Sequence, residues 1–302
     1  MLFFTLALLV LAGSVSASAQ TSSSGPDSSI SGEQVSRIVG EAMSRGGASR
    51  FLETITDTIG GRITGSAESR ATSELILNTL RQAGFSNAHF EEYDMERGWT
   101  KGAVRGEVVS PVQRALLVGT YGWVPGTPGA IEVPVADIGS VEKGNPEIPA
   151  TVRGAAVLVD LKSNALSTTY VGTRAKVAQR LAQAGAAAML IISDKPDRML
   201  YTSAFLFYPR GPLPVLSIAY EDASLLRRLL AKGEVKVRLD VQNTFTQGPV
   251  RERNVVADLE GADPAKTVLL TAHFDAWDAA QGANDNGAGV AVVLEAARIL
   301  KS

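Results

Sequence analysis

The residues whose types and spacing could do chemistry lie in one stretch, Val268–Gly289, VLLTAHFDAWDAAQGANDNGAG. His273 and Asp275 stand two residues apart at the end of an apolar run. Asp278 follows in a loop, and then Asn284-Asp285-Asn286. A neutral imidazole and carboxylate oxygens are usual ligands for zinc. At a strand end, a His-x-Asp pair points both side chains to one face, because strand side chains alternate. One of them can then bind an ion while the other orients it from behind. Asp285 stands just before an apolar helix, where a turn can aim it back at His273. The plainer reading makes His273 a hydrogen-bonded core histidine and Asp285 an N-terminal helix cap. Spacing alone leaves both readings open.

These residues need elements to hold them. Val268-Leu269-Leu270 reads as a buried strand, and ligands in open α/β sheets bind beyond the carboxyl ends of strands. Gly287 and Gly289 open a helix over Val290–Leu300. Far upstream, Ser31 and Gln34 form a capping box. Val35, Ile38, Val39, Ala42 and Met43 follow it at helical spacing, as one apolar face. A second helix carries Phe51, Leu52 and Ile55 and ends near Gly60-Gly61. A third runs from about Ser66 to Ala83, with Ala71, Leu75, Ile76 and Leu80 as its core face. Strands are expected near Ala88–Met95, Val104–Val109 and Leu116–Val118. His89 falls in the first of these and reads as a surface residue.

Beyond Pro111 the chain reads as a second α/β pattern. A Gly/Pro-rich loop, Gly119–Gly129, holds Tyr121 and Trp123, either lining a cleft or plugging a core. Strands are expected at Ala155–Val159, Ala187–Ile192 and Leu213–Ile218, with helices ending at Gly185 and Gly233. Val235 to Val241 alternates apolar with charged residues, the mark of a half-exposed strand. Ser163, Ser193 and Asp194 have no histidine beside them, which argues against a serine-hydrolase triad. No Gly-rich turn ends in Gly-Lys-Ser or Gly-Lys-Thr, so there is no phosphate loop. Asn254–Leu259 then reads as a strand returning to the first unit.

TAHFDAWD…GANDNGAG resembles the metal-binding core of the co-catalytic zinc exopeptidases, an aminopeptidase-type family of metallopeptidases. The nearest likeness is to its carboxypeptidase Q branch, through Trp277-Asp278 and Gln281-Gly282-Ala283. Leu52–Ser66, LETITDTIGGRITGS, also resembles the start of that family, and Arg62 and Gly65 within it match a feature of no assigned role. The segments RGAAVLVD, AGAAAMLIISD and LPVLSI resemble the protease-associated insert found in this branch. The resemblance implies two zinc ions per site, with His273 binding one, Asp285 bridging both and Asp275 orienting the site. It implies hydrolysis of short peptides or dipeptides, without deciding between amino- and carboxypeptidase action. The ligands alone would also suit manganese or cobalt.

The implied fold is α/β: a zinc-exopeptidase-type mixed, mostly parallel sheet with flanking helices, incomplete, interrupted by a smaller protease-associated α/β insert. Its parts are a signal peptide at 1–19, a linker at 20–31, the first part of a peptidase domain at 32–110, the insert at 111–250 and the second peptidase part at 251–302. The family also needs further ligands and a general-base glutamate within an adjacent Glu-Glu pair after the last helix. The only Glu-Glu pair here, Glu91-Glu92, lies upstream, and His89 and His273 are the only histidines. The expectation is therefore an amino-terminal fragment of a longer enzyme, inactive by itself. It should be poorly soluble as well, since parallel strands need both faces covered.

Composition narrows the alternatives. With 302 residues and 45% hydrophobic content the chain can build buried cores. A net charge of -2 with no basic cluster argues against nucleic acid or an anionic membrane surface as partner. The absence of cysteine excludes disulfides, thiolate zinc sites and cysteine nucleophiles. Leu2–Leu11 is too short to span a bilayer. Ala17-Ser18-Ala19 has the form of a signal peptidase site, which points to a secreted or periplasmic protein without stable membrane insertion. A homodimer is an open alternative. Two other functions compete: a non-catalytic peptide- or protein-binding module built on the insert, and a zinc cyclotransferase on the same core.

Overall fold

A computed structural model describes residues 31–142, 146–161, 168–203 and 211–302. The expected signal peptide, nearly all of the linker, and Ser163 lie outside the described residues. Among these, no helix is long and apolar enough to cross a membrane.

The capping box forms as expected. The Gln34 N–H donates to Ser31 Oγ at 3.2 Å and the Ser31 N–H to Gln34 Oε1 at 2.9 Å, which starts α1 (Gly32–Arg45). Its apolar stripe does not pack as a core, however. Val35, Ile38, Val39 and Met43 are all exposed, and no residue of the helix is buried. Helical periodicity shows that a face is apolar; whether that face is covered depends on what packs against it. The contact α1 does make is polar, between Glu41 and Arg298 Nη1 at 2.6 Å.

The short helix α2 (Ala48–Glu53) widens into a π-turn at Thr54–Ile59, which Gly60 ends with φ +78°. Ser66 caps α3 (Ala67–Gln82) through the Ser69 N–H. The core face of α3 is rotated from the expected one. Ala71 is exposed, while Thr72, Ser73, Ile76, Leu77 and Leu80 are buried. The buried hydroxyls turn back onto the helix: Thr72 Oγ1 donates to the Glu68 carbonyl and Ser73 Oγ to the Arg70 carbonyl. With these bonds made, two polar residues can sit on a buried face, something hydrophobic periodicity cannot register.

From α3 the chain enters a long antiparallel ribbon. Its outgoing arm is β1 (His89–Met95), β2 (Trp99–Thr100) and β3 (Val104–Ser110). Its returning arm is β10 (Lys236–Val241), β11 (Thr244–Phe245) and β12 (Val250–Val256). The arms pair in nested order, with Met95 opposite Val250, Phe245 opposite Trp99 and Val241 opposite Val104. His89 is exposed on β1, as expected, with Nδ1 2.8 Å from the Asn87 carbonyl oxygen.

Between the arms lie β4 (Arg114–Leu116), β5 (Val118–Thr120), β6 (Ile131–Val141), β7 (Ala156–Leu161), α4 (Thr168–Gln183), β8 (Ala188–Ile192), β9 (Val215–Ile218) and α5 (Tyr220–Leu230). An eight-stranded sheet runs β4-β3-β10-β6-β7-β8-β9-β5. The ladders β6–β7, β7–β8 and β8–β9 are parallel and the flanking ones antiparallel. Side chains alternate strictly. Val157, Val159, Met189 and Ile191 face one core with Val177, Ala178 and Leu181 of α4. Ala156, Leu158, Ala188 and Leu190 face the other with Ala223 and Leu226 of α5. A sheet covered on both faces accounts for the continuous apolar runs in the sequence.

Strand 104–110, assigned by composition to the first peptidase part, hydrogen-bonds within this larger sheet. A unit entered and left through one antiparallel ribbon has its two boundaries opposite each other, whereas the compositional break at Pro111 marks only the end of the outgoing arm. The parallel ladders likewise belong to this unit. Outside that unit the described strands β1 and β12 pair antiparallel, because they are the two arms of one ribbon.

The remaining part of the chain has its own core: Ile76, Leu77 and Leu80 of α3, Phe85, Ala88, and Val290 and Leu294 of α6 (Ala288–Lys301). Tyr121 and Trp123 plug cores, being 1% and 4% exposed. Trp123 packs with Ile63 and Trp99 at the β2/β11 stretch of the ribbon.

Candidate metal centre

The expected strand leading to His273 is absent. Residues 268–272 join no ladder among the described residues, and Val268 and Leu269 are 85% and 81% exposed. An apolar run becomes a strand only when neighbours supply the ladder. Alternation nevertheless survives past Thr271. Ala272 and Phe274 pack into the α3–α6 core, which leaves His273 and Asp275 on the open face.

The three sequence-predicted residues come together. His273 Nδ1 lies 3.0 Å from Asp275 Oδ1, and Nε2 lies 3.1 Å from Asp285 Oδ1. Their side chains remain open, at 57% exposure for His273, 43% for Asp275 and 69% for Asp285. Asp285 has φ −120° and ψ 96°, outside the helical region, and the peptide bond that follows it is cis. Its carboxylate faces His273, against the helix-cap reading. The exposure of His273 likewise argues against the core-histidine reading.

This donor set suits a metal ion. With Nδ1–H donated to Asp275, the Nε2 lone pair of a neutral imidazole points at the position Asp285 also faces. Two donors on one tetrahedral ion at ordinary zinc bond lengths lie about 3.3 Å apart, close to the 3.1 Å seen here. Among the described residues no cluster of three or more His, Asp or Glu side chains suited to a metal occurs. Two donors fall short of the three or four protein ligands that zinc normally takes.

Sequence reasoning gave Arg62 no role, yet it organises the loop. It is 0% exposed. Its guanidinium donates to the carbonyls of Phe274 at 2.5 Å, Gly60 at 2.9 Å, Gln281 at 2.9 Å and Gly282 at 2.8 Å. Its backbone exchanges two 3.3 Å hydrogen bonds with Ala276. One buried side chain therefore grips both ends of the loop that separates His273 from Asp285. Burial pulls the guanidinium below the ordinary arginine pKa, and the Asp275 charge acts the other way. Gly282, at φ +62°, is where the loop closes over this group. A Cβ there would run into Ala276 and lie 2.8 Å from Arg62 Nη1. The only sequence signal was an arginine set between a Gly-Gly pair and a further glycine.

Trp277 joins the Ile63–Trp99–Trp123 cluster, anchoring the loop from below. Asp278 sits against Gly61, and its carbonyl accepts from Lys101 Nζ at 2.6 Å. Burial raises the Asp278 carboxyl pKa, with Lys101 pulling it down.

Nearby, Glu252 of β12 is 1% exposed, with Ser69 Oγ and Arg70 Nη1 at 3.2 and 3.4 Å. Burial lifts its pKa, outweighing the Ser69 hydrogen bond and the Arg70 charge. A carboxyl with a raised folded-state pKa contributes stability below its unfolded pKa, and loses it as pH climbs through the folded value. Glu252→Gln should therefore match the wild type in chemical denaturation near pH 4 and gain on it progressively toward neutral pH. A variant that is instead progressively weaker toward neutral pH would contradict this sign.

Residues 254–302 match Peptidase family M28. Carboxypeptidase Q of Mus musculus is 26% identical over 256 residues, which cover 83% of this chain and 54% of the relative. The Homo sapiens protein of that name is 26% identical over 270 residues, covering 87% and 56%. The chain thus spans about half the length of the curated relatives it matches. Among solved structures, a Peptidase M28 precursor from Shewanella amazonensis superposes with a TM-score of 0.71 at 24% identity, covering 89% of this chain and 63% of that one. A zinc aminopeptidase from Bacillus subtilis superposes at 0.62 and 23%, covering 84% and 57%. These two share the fold. The segment that holds His273, Asp275 and Asp285 is thus the one that matches Peptidase family M28, and a likeness to carboxypeptidase Q runs through most of the remainder.

Proposed function

We propose that this chain is part of a secreted, zinc-dependent exopeptidase that hydrolyses short peptides or dipeptides, with two ions per site. The convergence of His273 Nε2 and Asp285 Oδ1 to 3.1 Å, with Asp275 behind the imidazole, carries the reading. His273 would bind one ion and Asp285, which has two oxygens to offer, would bridge the pair. Asp275 would keep the His273 ring in the orientation that presents Nε2. Bound zinc would supply Lewis acidity, lowering the pKa of a coordinated water and polarising a scissile carbonyl. The unit between residues 104 and 241 is proposed to be the protease-associated insert. It is joined through the β2/β11 neck, whose Trp99 and Phe245 cluster with Trp277 of the candidate loop, and from there it would shape access to the site.

Metal analysis of the intact protein, followed by a dipeptide panel with free and blocked termini, tests this. Zinc bound in about a two-to-one ratio, with cleavage that depends on a free terminus, is the expected result. Which terminus must be free separates aminopeptidase from carboxypeptidase action. Cleavage that survives complete chelation would sink the metal reading.

A further inference from the structure

The Arg62–Thr64 segment lies directly against the loop that carries the candidate ligands, and two of its side chains reach into it. Arg62 holds the loop backbone through four carbonyls. Thr64 Oγ1 donates to Asp275 Oδ2 at 2.9 Å, while the other carboxylate oxygen, Oδ1, faces His273 Nδ1 at 3.0 Å. Both oxygens of Asp275 are therefore engaged, one by the imidazole and one by the hydroxyl.

A carboxylate held by a single hydrogen bond can rotate about its χ1 and χ2 torsions. Held on both oxygens it has one orientation. That orientation sets the plane of the His273 ring and hence the direction of Nε2. Thr64 itself follows Ile63, which is 3% exposed in the Trp99–Trp123 cluster, and precedes Gly65 at φ +90°. The hydroxyl is thus fixed beside the β2/β11 stretch of the ribbon.

We propose that Thr64 is a positioning residue for the metal centre. Its hydroxyl locks the Asp275 carboxylate, which in turn orients His273, and Arg62 keeps the loop backbone where that contact can form. The inference rests on the metal reading of His273 and Asp285, and adds to it a chain of command running Thr64 to Asp275 to His273. Outer partners of metal ligands typically change affinity by about 10- to 100-fold when removed.

The test uses Thr64→Val, which keeps the shape and loses the donor, and Thr64→Ser, which keeps the donor. Zinc affinity of the intact protein is measured by competition with a chelating dye. In the metal-free protein, scalar couplings report the χ1 rotamer of Asp275. Thr64→Val should weaken zinc binding by about 10- to 100-fold and average the couplings, and Thr64→Ser should restore both. A purely structural role would lower the melting temperature and leave the zinc affinity of the folded protein alone. Wild-type affinity and couplings in Thr64→Val overturn the proposal. A wild type that binds no zinc overturns the metal reading instead. The couplings then decide on Thr64 by themselves: a single rotamer in wild type, averaged in Thr64→Val, supports the lock, and identical couplings refute it.

Discussion

Asp285→Ala in the intact protein is expected to cost about a thousandfold in kcat/KM. The reasoning starts from geometry. Asp285 and His273 are the two donors that converge, 3.1 Å apart, and Asp285 is the one with a second oxygen free for another ion. Metal-supplied stabilisation of developing charge amounts to several kcal/mol, and about 4 kcal/mol is a factor of about a thousand in rate. The side chain is 69% exposed, so the folded state should lose little, and thermal melting of the metal-free variant should stay near wild type. Asp285→Asn separates charge from shape: it keeps the volume and one oxygen, and should also fail to hold zinc at wild-type affinity. Paired zinc titration and steady-state kinetics read both effects. If Asp285→Ala kept full zinc content and more than about a tenth of the activity, the bridging role would be wrong.

Arg62→Ala has the opposite profile, with a large effect on stability that reaches the site indirectly. Truncation would strand the carbonyl oxygens of Gly60, Phe274 and Gln281 around a void, while the Gly282 carbonyl would keep the Gly287 N–H as a donor. A buried group left without its partner costs about 1–3 kcal/mol, and such costs do not simply add. A total of about 3–5 kcal/mol is expected, among the largest single-residue effects. Urea denaturation measures it. Arg62→Lys retains the charge but offers a point in place of a planar fork, so it should recover only part of the loss. A loss below about 1 kcal/mol for Arg62→Ala would mean that the loop is held by other contacts. Trp277 in the Trp99–Trp123 cluster is the first of these to examine.

The grouping of the candidate site was legible because few residue types could serve a metal and three of them stand close in the sequence. His273, Asp275 and Asp285 are where the sequence put them, and alternation correctly placed His273 and Asp275 on one face while Ala272 and Phe274 turned inward. Arg62 and Thr64 were not legible as partners of that site. They lie about two hundred positions away in the chain, and nothing in an arginine or a threonine announces that it will meet carbonyls or a carboxylate so distant in sequence. The helices were found where caps and glycines mark them, Ser31, Ser66 and Gly84 among them. Burial was misjudged on α1 and α3. An apolar face shows only that burial would be favourable, and a buried Ser73 is invisible to a pattern that counts hydrophobic residues.

The sequence by itself determined the local things: where helices begin and end, which strands are covered on both faces, and which imidazole and carboxylate side chains stand close enough to share a site. These depend on residues within a turn or a strand of each other, and the physics that governs them is short-ranged. Only the tertiary structure decided that strand 104–110 belongs to the larger sheet, that Val268–Leu270 forms no ladder among the described residues, and that Arg62 and Thr64 grip the ligand loop. Each of those depends on which distant segment supplies the hydrogen-bond partner. A backbone group or a buried guanidinium accepts any correctly placed partner, whatever its position in the chain.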